Sequence, residues 1–296
     1  MSSVQEPNFV MVPENPNDNR EPAVAGGRSP DWARLFPEGD HRWMMRLRRG
    51  DSRAFFAPRD STGGVCAERR RWLSADPGRY AAFTPDAAPA LADTLELAES
   101  LGVVIDRTLD PVLQMLALGK VWEPDFVWLH PDDRGVHRLT GGVVCFPSSW
   151  ALEEKLRRPI REIHEPVPGL NATLGPRIDQ FLKTLSGDVA WSRENVGFSR
   201  DAERNHHPAR ARARLDGTIT ADEVWIRIEE QLLMNLNPSG SILFGIRVDV
   251  YPLPLLLQDS AAADRLIQTL STMRSEAMAY KGLADARDAL IALAGR

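Results

Sequence analysis

The chain has 296 residues, 43% of them hydrophobic and 26% charged, a composition typical of a globular protein that buries a sizeable core. The net charge of −5 argues against a nucleic-acid partner, and no apolar run reaches the ~20 residues that a membrane helix needs. Two cysteines are too few for a disulfide framework, a four-thiolate zinc site or an iron–sulfur cluster. The polar N-terminus has no signal-peptide pattern, so a cytoplasmic protein without a membrane span is expected.

The N-terminal third of the chain is predicted to be a tail followed by helices. Residues 1–30 are rich in Pro, Asn, Gly and charge, which predicts a disordered tail, and residues 31–296 are predicted to form a single domain. Residues 66–83 have a helical pattern that stops near Pro77. Residues 88–105 predict a longer helix, because apolar side chains recur at helical spacing with acidic residues on the other face.

Two segments predict antiparallel β-structure. In residues 125–150, short apolar runs alternate with Asp-Asp-Arg-Gly and Gly-Gly, which predicts a hairpin and an exit turn. In residues 223–253, two β-type runs flank the turn sequence Asn-Pro-Ser-Gly. In the second run, alternate apolar residues share one face while Arg247 and Asp249 lie on the other, which predicts a half-buried strand. The apolar residues are Ile242, Phe244, Ile246, Val248 and Val250.

The order of these elements predicts the fold class. Residues 260–295 have a helical pattern broken at Gly282. Helices and strands therefore follow one another in groups, which predicts an α+β fold with an antiparallel sheet and helices packed against one side. No predicted strand is followed by a glycine-rich nucleotide-binding loop, so bound NAD or ATP is not expected.

The segment between the two hairpins is predicted to contain a short helix in two pieces. Ser148 or Ser149 is the expected N-cap, and Pro159 is expected near the first position of the second piece. A buried stripe is expected along both pieces. The stripe consists of Leu152, Leu156, Ile160 and Ile163.

His164 is a candidate metal ligand at the end of the second piece. It shares the face of Ile160, and Pro166 and Pro168 restrain the backbone beyond it. An imidazole held at a fixed height above an apolar slot suits a haem iron. The alternative is a buried histidine hydrogen-bonded to a backbone carbonyl, and the residues alone leave both interpretations open.

The other histidines and cysteines show no metal-binding pattern. His206 and His207 lie in an arginine-rich segment and are expected to be solvated. No His-Glu-x-x-His spacing occurs, so a zinc site is not expected. Cys145 lies in an apolar run and is expected to be a small core residue, with thiolate ligation of a haem as the alternative.

Several of these segments resemble a known protein family. They are the run CFPSSWALEEKLRRPIREIHEPVPGL, the stretch WSRENVGFSR (191–200), the sequence IRIEEQLLMNLNPSGSILFGIRV (226–248) and YKGL (280–283). In this order they resemble the haem-dependent oxidative N-demethylases, also described as the alpha subunit of dimethylamine monooxygenase. The resemblance covers residues 31–290.

The resemblance implies a fold, a cofactor and a reaction. The fold would be PAS-like, an antiparallel sheet whose flanking helices form a pocket for a b-type haem and its iron, so that residues 31–296 would be one haem-binding domain. The enzyme would oxidise a small secondary amine with dioxygen and release formaldehyde. Electrons would pass from NADPH through a separate flavin and iron–sulfur reductase protein, which agrees with the low cysteine count. A homo-oligomer is compatible with the sequence.

The resemblance also assigns residues to the cofactor. His164 becomes the expected axial iron ligand, with Pro166 beside it in the haem pocket. Lys155 is expected to contact a haem propionate, with an exposed helix lysine as the alternative. Tyr280 is matched to the family and expected near the cofactor, and the alternative is a core aromatic with a tethered hydroxyl.

Four polar residues are candidates for the catalytic pocket. Arg193 and Asn195 lie in a matched motif, where an arginine could bond a propionate or polarise dioxygen, or form a surface salt bridge instead. Glu229 and Arg247 are expected on neighbouring strands of the polar sheet face. There they would pair and line a pocket, or form a solvent-facing cross-strand pair.

Three positions depart from the family pattern. Val196 stands where tryptophan is expected, Glu230 where arginine is expected, and Arg157 where glycine is expected. The charge reversal at Glu230 is expected near the substrate pocket. It therefore predicts a different substrate, such as an amino-acid-like or natural-product amine, or loss of the original activity.

Three functions follow from these observations. The first is a haem-dependent monooxygenase acting on a small amine or an amino-acid-like substrate. The second is a non-catalytic haem-PAS sensor or binding protein, although residues 260–296 resemble a packing helix and not an output domain. The third is a haem-free relative that keeps only the scaffold.

Overall fold

The structure is a computed structural model that describes residues 30–187 and 189–296, so the predicted tail lies almost entirely outside the described residues. The described strands are β1 (Arg48–Gly50), β2 (Ala81–Phe83), β3 (Asp125–Pro131), β4 (His137–Val143), β5 (Ala190–Ser199), β6 (Trp225–Asn235) and β7 (Ile242–Pro252). The helices before β3 are α1 (Trp32–Leu35), α2 (Ser52–Phe56), α3 (Gly64–Ala75), α4 (Pro77–Tyr80), α5 (Ala88–Ser100) and α6 (Pro111–Val121). The later helices are α7 (Leu152–Lys155), α8 (Ile160–Ile163), α9 (Leu170–Thr184), α10 (Leu253–Leu257), α11 (Ser260–Thr272), α12 (Ser275–Tyr280) and α13 (Arg287–Ala294).

The described strands form one antiparallel sheet in the order β1-β5-β6-β7-β3-β4-β2. The α+β class and both predicted hairpins, β3–β4 and β6–β7, are confirmed. The predicted helices are confirmed in α3 and α5, and α3 ends at Ala75, just before Pro77. The sequence patterns predicted neither α6 nor α9. The PAS-like architecture stays a prediction.

The strand register divides the central side chains between two faces of the sheet. Directly opposed residues of antiparallel strands point to the same face, and successive residues alternate. Asn195, Glu229 and Val248 form one row across β5, β6 and β7, and we call their side face A. Glu194, Glu230 and Arg247 form the next row and define face B.

Helices cover both faces, which corrects the prediction of helices on one side. On face B, α5 and α6 pack against β3 and β4, and α11 and α13 pack against β6 and β7. On face A, α7, α8 and α9 pack against β3 and the start of β7. Strand β7 lies between two neighbouring strands and is largely buried, so its predicted half-buried character is wrong, although its apolar stripe does share face A.

The connection from β4 to β5 crosses face A and carries α7, α8 and α9. The predicted stripe is confirmed, because Leu152 is buried and the other three members pack beside it. Pro159 is the N-cap of α8, one position before the first helical residue. Ala151 is the N-cap of α7, so the expected capping by Ser148 or Ser149 is wrong. His164 follows α8 directly, as predicted.

A buried ion pair holds α3 against the start of β3. Asp125, at the start of β3, pairs with Arg69 of α3, and both side chains are buried. Its carboxylate also accepts from the backbone N–H groups of Cys145 (2.7 Å) and Phe146 (2.9 Å). Buried carboxylate oxygens need hydrogen-bond donors. The donors of Asp125 therefore fix the backbone at Cys145 and Phe146, where the chain leaves β4.

The C-terminal region is helical, as predicted, but it has two breaks. One falls at residues 273–274 and the other at Gly282, whose φ of 68° lies in the left-handed region that glycine tolerates best. Within the described residues, no helix has the length and apolar character needed to cross a membrane.

Replacing Arg157 by glycine is expected to raise the free energy of unfolding by about 1 kcal/mol. Arg157 is exposed and has a φ of 65°, a left-handed conformation that disfavours a side chain. Urea denaturation measures the change. Arg158→Gly is the control, since Arg158 is exposed without a positive φ and its replacement should not stabilise. An Arg157→Gly protein no more stable than the wild type would contradict the expectation.

Candidate functional site

Polar side chains of β5 and β6 collect on face A beside the β4–β5 connection. Asn195 lies opposite Glu229 and Arg193 lies opposite Gln231, so all four side chains point to the same side of the sheet. The helix that precedes His164 packs against that side as well. The structure therefore brings together three of the four predicted catalytic residues and the predicted ligand.

Glu229 is a buried carboxylate held by neutral groups. Its side chain is 8% exposed, and its Oε2 accepts from Gln231 Nε2 at 2.8 Å and from Asn195 Nδ2 at 3.3 Å. Among the described residues it forms no ion pair. A buried charge without a counter-ion is costly, so a cationic ligand would relieve the site. Gln231 was not among the predicted site residues, although strand alternation places it on the side of Glu229.

His164 has the protonation state and the free nitrogen that a metal ligand needs. Its backbone is fixed on both sides, since its N–H donates to Ile160 O at 3.0 Å and its carbonyl accepts from Val167 N at 3.0 Å. Burial, followed by the positive charge of Arg193, lowers the pKa of the imidazole to about 4. The ring is therefore neutral near pH 7, with a lone pair available.

The Nδ1 atom of His164 is buried and has no hydrogen-bond partner among the described residues. The alternative of a histidine tied to a backbone carbonyl is therefore not what these residues show. Buried polar atoms in folded proteins are normally satisfied, and an orphan nitrogen calls for an explanation. A metal bound at the imidazole would provide one.

Arg193 is half-buried and has no carboxylate partner among the described residues. Its Nε atom is also unpartnered, and burial lowers the pKa of the group. The predicted alternative of a surface salt bridge is not found, because Arg193 forms no ion pair with a described residue. Unpaired guanidinium groups bind carboxylates well, since their fork of N–H donors matches two oxygens.

Lys155 and Pro166 lie on either side of His164 along the chain. Lys155 is half-buried, and its charge is one of those that lower the pKa of His164, so it lies within electrostatic reach of the imidazole. Pro166 is exposed. It restrains the exit from α8, and nothing in the described contacts places it inside the pocket.

Tyr280 and Lys281 lie at the end of α12, within electrostatic reach of Glu229. Tyr280 is 49% exposed, so the core-aromatic alternative is wrong, yet burial of its hydroxyl and the charge of Glu229 raise its pKa. Lys281 donates from Nζ to Val196 O at 2.9 Å, and the Trp43 ring lies 5.9 Å from the same atom. Lys281 was not predicted as a site residue, and its place beside Tyr280 in the matched YKGL stretch was the available signal.

Arg247 does not belong to this site. It lies on face B, where it pairs with Glu123 at 2.5 Å and donates to the carbonyls of Phe55 and Ala57. The expected pairing with Glu229 is wrong, because the register places the two side chains on opposite faces. Their separation by strand alternation could be determined only once the register was known.

Cys145 is a core residue, as predicted from its apolar run. It is fully buried in the face B core, and burial raises the pKa of its thiol to about 12. Its place inside the packed core favours the predicted core role over thiolate ligation.

The three departures from the family pattern lie away from the site on face A. This corrects the expectation that the reversed charge at Glu230 lies beside the predicted catalytic residues. Glu230 is on face B and pairs with Arg59 at 2.5 Å. Val196 points to face B as well and packs against the C-terminal helices. Arg157 is exposed in the turn between α7 and α8. None of the three side chains contacts Glu229 or His164 in the described hydrogen bonds and ion pairs.

The expectation that His206 and His207 are solvated is also wrong for His207. Its side chain is 4% exposed, and its Nε2 lies 3.2 Å from Glu153 Oε1. Its Nδ1 accepts from Ala209 N, so the proton is on Nε2. This pair fastens the arginine-rich loop to α7, and His206 is itself only partly exposed.

The site on face A is of the single-histidine type. Among the described residues, no three His, Cys, Asp or Glu side chains cluster as a protein-only metal centre requires. A haem iron, in contrast, needs one axial side chain, and its propionates suit unpaired cations. The neutral, unpartnered His164 and the unpaired Arg193 fit that cofactor.

The comparison with known families agrees with this type of site. The model of the family described as haem-dependent oxidative N-demethylase, alpha subunit-like, matches residues 97–291, which is more than half of the chain. The protein belongs to this family.

Proposed function

We propose that the protein is a haem-dependent monooxygenase that oxidises a small amine with dioxygen, using electrons from a separate NADPH-dependent reductase protein. The observation that carries the proposal is the His164 imidazole, which is neutral and backbone-restrained, and whose buried Nδ1 has no hydrogen-bond partner among the described residues. Family membership supports it independently. The cofactor is proposed to be b-type haem.

The residues on face A have distinct proposed roles around that cofactor. Haem, when bound, supplies the dioxygen chemistry that no side chain provides. His164 is proposed to hold its iron, and Lys155 to pair with a propionate carboxylate. Arg193 would donate hydrogen bonds to a propionate, because its guanidinium is half-buried and forms no ion pair with a described residue.

Glu229 is proposed to bind and orient the amine. Both amide donors reach its Oε2, so Oε1 remains able to accept a proton or a hydrogen bond from the substrate ammonium. Asn195 and Gln231 hold the carboxylate in place, and a pre-oriented acceptor loses less entropy on binding. Tyr280 is proposed to line the entrance, since its hydroxyl faces the charge of Glu229.

The family resemblance implies a separate electron donor, and the composition of the chain agrees with it. The two cysteines are too few for an iron–sulfur cluster, and no nucleotide-binding loop was found in the sequence. A flavin and iron–sulfur protein is therefore proposed as the partner.

The absorption spectrum of the purified protein tests the proposal. A Soret band is expected in the oxidised protein, and the reduced protein under carbon monoxide should give the band of histidine-ligated haem, not the longer-wavelength band of thiolate ligation. Formaldehyde release from an N-methyl amine with NADPH and a reductase tests turnover. No Soret band after addition of haem would overturn the proposal, and haem without turnover would favour the sensor function.

A further inference from the structure

The polar site on face A contains a buried carboxylate, Glu229, and a half-buried ammonium, Lys281, that do not form an ion pair with each other. Glu229 has only neutral amide partners, and Lys281 has only a backbone carbonyl partner among the described residues. The two groups are more than 4.0 Å apart, since no ion pair joins them. Among the described residues neither group has a directly contacting ion-pair partner, although Arg193 and Arg227 lie within electrostatic reach of Glu229.

Lys281 lies at the edge of β5, beyond the part of that strand that pairs with β1. Its Nζ donates to the carbonyl of Val196, the residue next to Asn195, which itself donates to Glu229. One of its three N–H donors is used there, so two remain available. Burial lowers the pKa of the ammonium and Glu229 opposes this effect, which places the two groups within electrostatic reach.

The segment that contains Trp43 lies beside Lys281. Trp43 covers the Lys281 ammonium and donates from Nε1 to Pro168 O at 2.8 Å, just beyond His164. The ring thus limits access of water to Lys281. A charge pair formed with a ligand is stronger in such a desolvated position.

We propose that Glu229 and Lys281 together select a zwitterionic substrate, an N-methylated amino acid whose ammonium binds Glu229 and whose carboxylate binds Lys281. This inference deepens the proposed function, because it names the substrate class for the same site. Dimethylamine satisfies only Glu229, whereas an N-methyl amino acid satisfies both charges. Arg193 lies within electrostatic reach of both His164 and Glu229, and since the proposed function assigns it to a haem propionate, Lys281 is the cation left for the substrate carboxylate.

Isothermal titration of the full-length protein with sarcosine and with dimethylamine tests the inference. The two probes differ by one carboxylate, so their ratio of dissociation constants isolates its contribution. Sarcosine is expected to bind about 10- to 100-fold more tightly than dimethylamine, the range of a hydrogen bond to a charged group. Lys281→Met should remove this preference by weakening sarcosine binding without weakening dimethylamine binding, whereas Glu229→Gln should weaken both probes.

Two further variants separate recognition from structure. Lys281→Gln keeps an N–H donor for Val196 O without the charge, and it should lose the preference to the same extent as Lys281→Met. Lys183→Met replaces an exposed lysine of α9 and should change neither Kd. Thermal melting of each variant establishes that it is folded. If Lys281→Met does not fold, the comparison of the two probes is made with Lys281→Gln.

The outcomes distinguish this inference from the proposed function. Equal binding of both probes, no sarcosine binding, or a Lys281→Gln protein that keeps the preference would overturn the inference and would leave a haem-loaded enzyme intact. Lys281-dependent binding of sarcosine to a protein without a Soret band would support the inference and overturn the haem chemistry.

Discussion

Replacing His164 by glycine is expected to weaken haem binding by more than about 100-fold, beyond the range found when only an outer partner of a metal ligand is lost. The substitution removes the neutral imidazole and leaves a space beside the pocket. Added imidazole can occupy that space, so it should restore the Soret band of the variant. Titration of the haem-free protein with haem, followed by absorption, measures both effects.

The matched control is His206→Ala. His206 lies in the arginine-rich loop, where its Nε2 contacts the carbonyl of Glu203, and it is not part of face A. Its replacement should leave haem affinity unchanged. If His164→Gly kept the wild-type affinity and spectrum, another residue would be the axial ligand and the assignment of His164 would be refuted.

Replacing Asp125 by asparagine is expected to lower the free energy of unfolding by about 3–5 kcal/mol, the cost of leaving a buried charge uncompensated. Arg69 is 0% exposed, and its guanidinium would lose its carboxylate partner. The backbone N–H groups of Cys145 and Phe146 would lose a charged acceptor at the same time. Urea denaturation followed by circular dichroism measures the loss.

An exposed ion pair provides the comparison for Asp125. Arg107 and Glu99 are 3.7 Å apart, and both side chains are more than 40% exposed. Glu99→Gln should therefore change stability by less than about 1 kcal/mol. The double variant Arg69→Met/Asp125→Asn should lose less than the sum of the two single losses, because the residues are in contact. A mild effect of Asp125→Asn alone would show that Arg69 finds another partner.

Elements with strong local signals were predictable from the sequence. The turn sequences Asp-Asp-Arg-Gly and Asn-Pro-Ser-Gly, flanked by alternating apolar residues, located both hairpins. Pro77 marked the end of α3. In contrast, α9 contains Pro176 inside the helix, and packing against face A overrides that local signal.

The candidate site was predictable only in part. His164, Arg193, Asn195 and Glu229 were found because they lie in matched segments, and the structure brings them to one face. Lys281 and Gln231 were missed, and Arg247 was wrongly included. These errors have one cause, since the sequence does not state which strand residues share a face across a sheet whose neighbours are distant in the chain.

The sequence by itself determined the α+β class, the two hairpins and the restrained backbone at His164. Turn chemistry, apolar periodicity and proline geometry act over a few residues, so they can be read locally. Only the tertiary structure decided that Glu229 faces the pocket while Arg247 faces the opposite core, and that Lys281 lies within reach of Glu229. Those relationships depend on strand register and on burial from distant segments, and no local pattern encodes them.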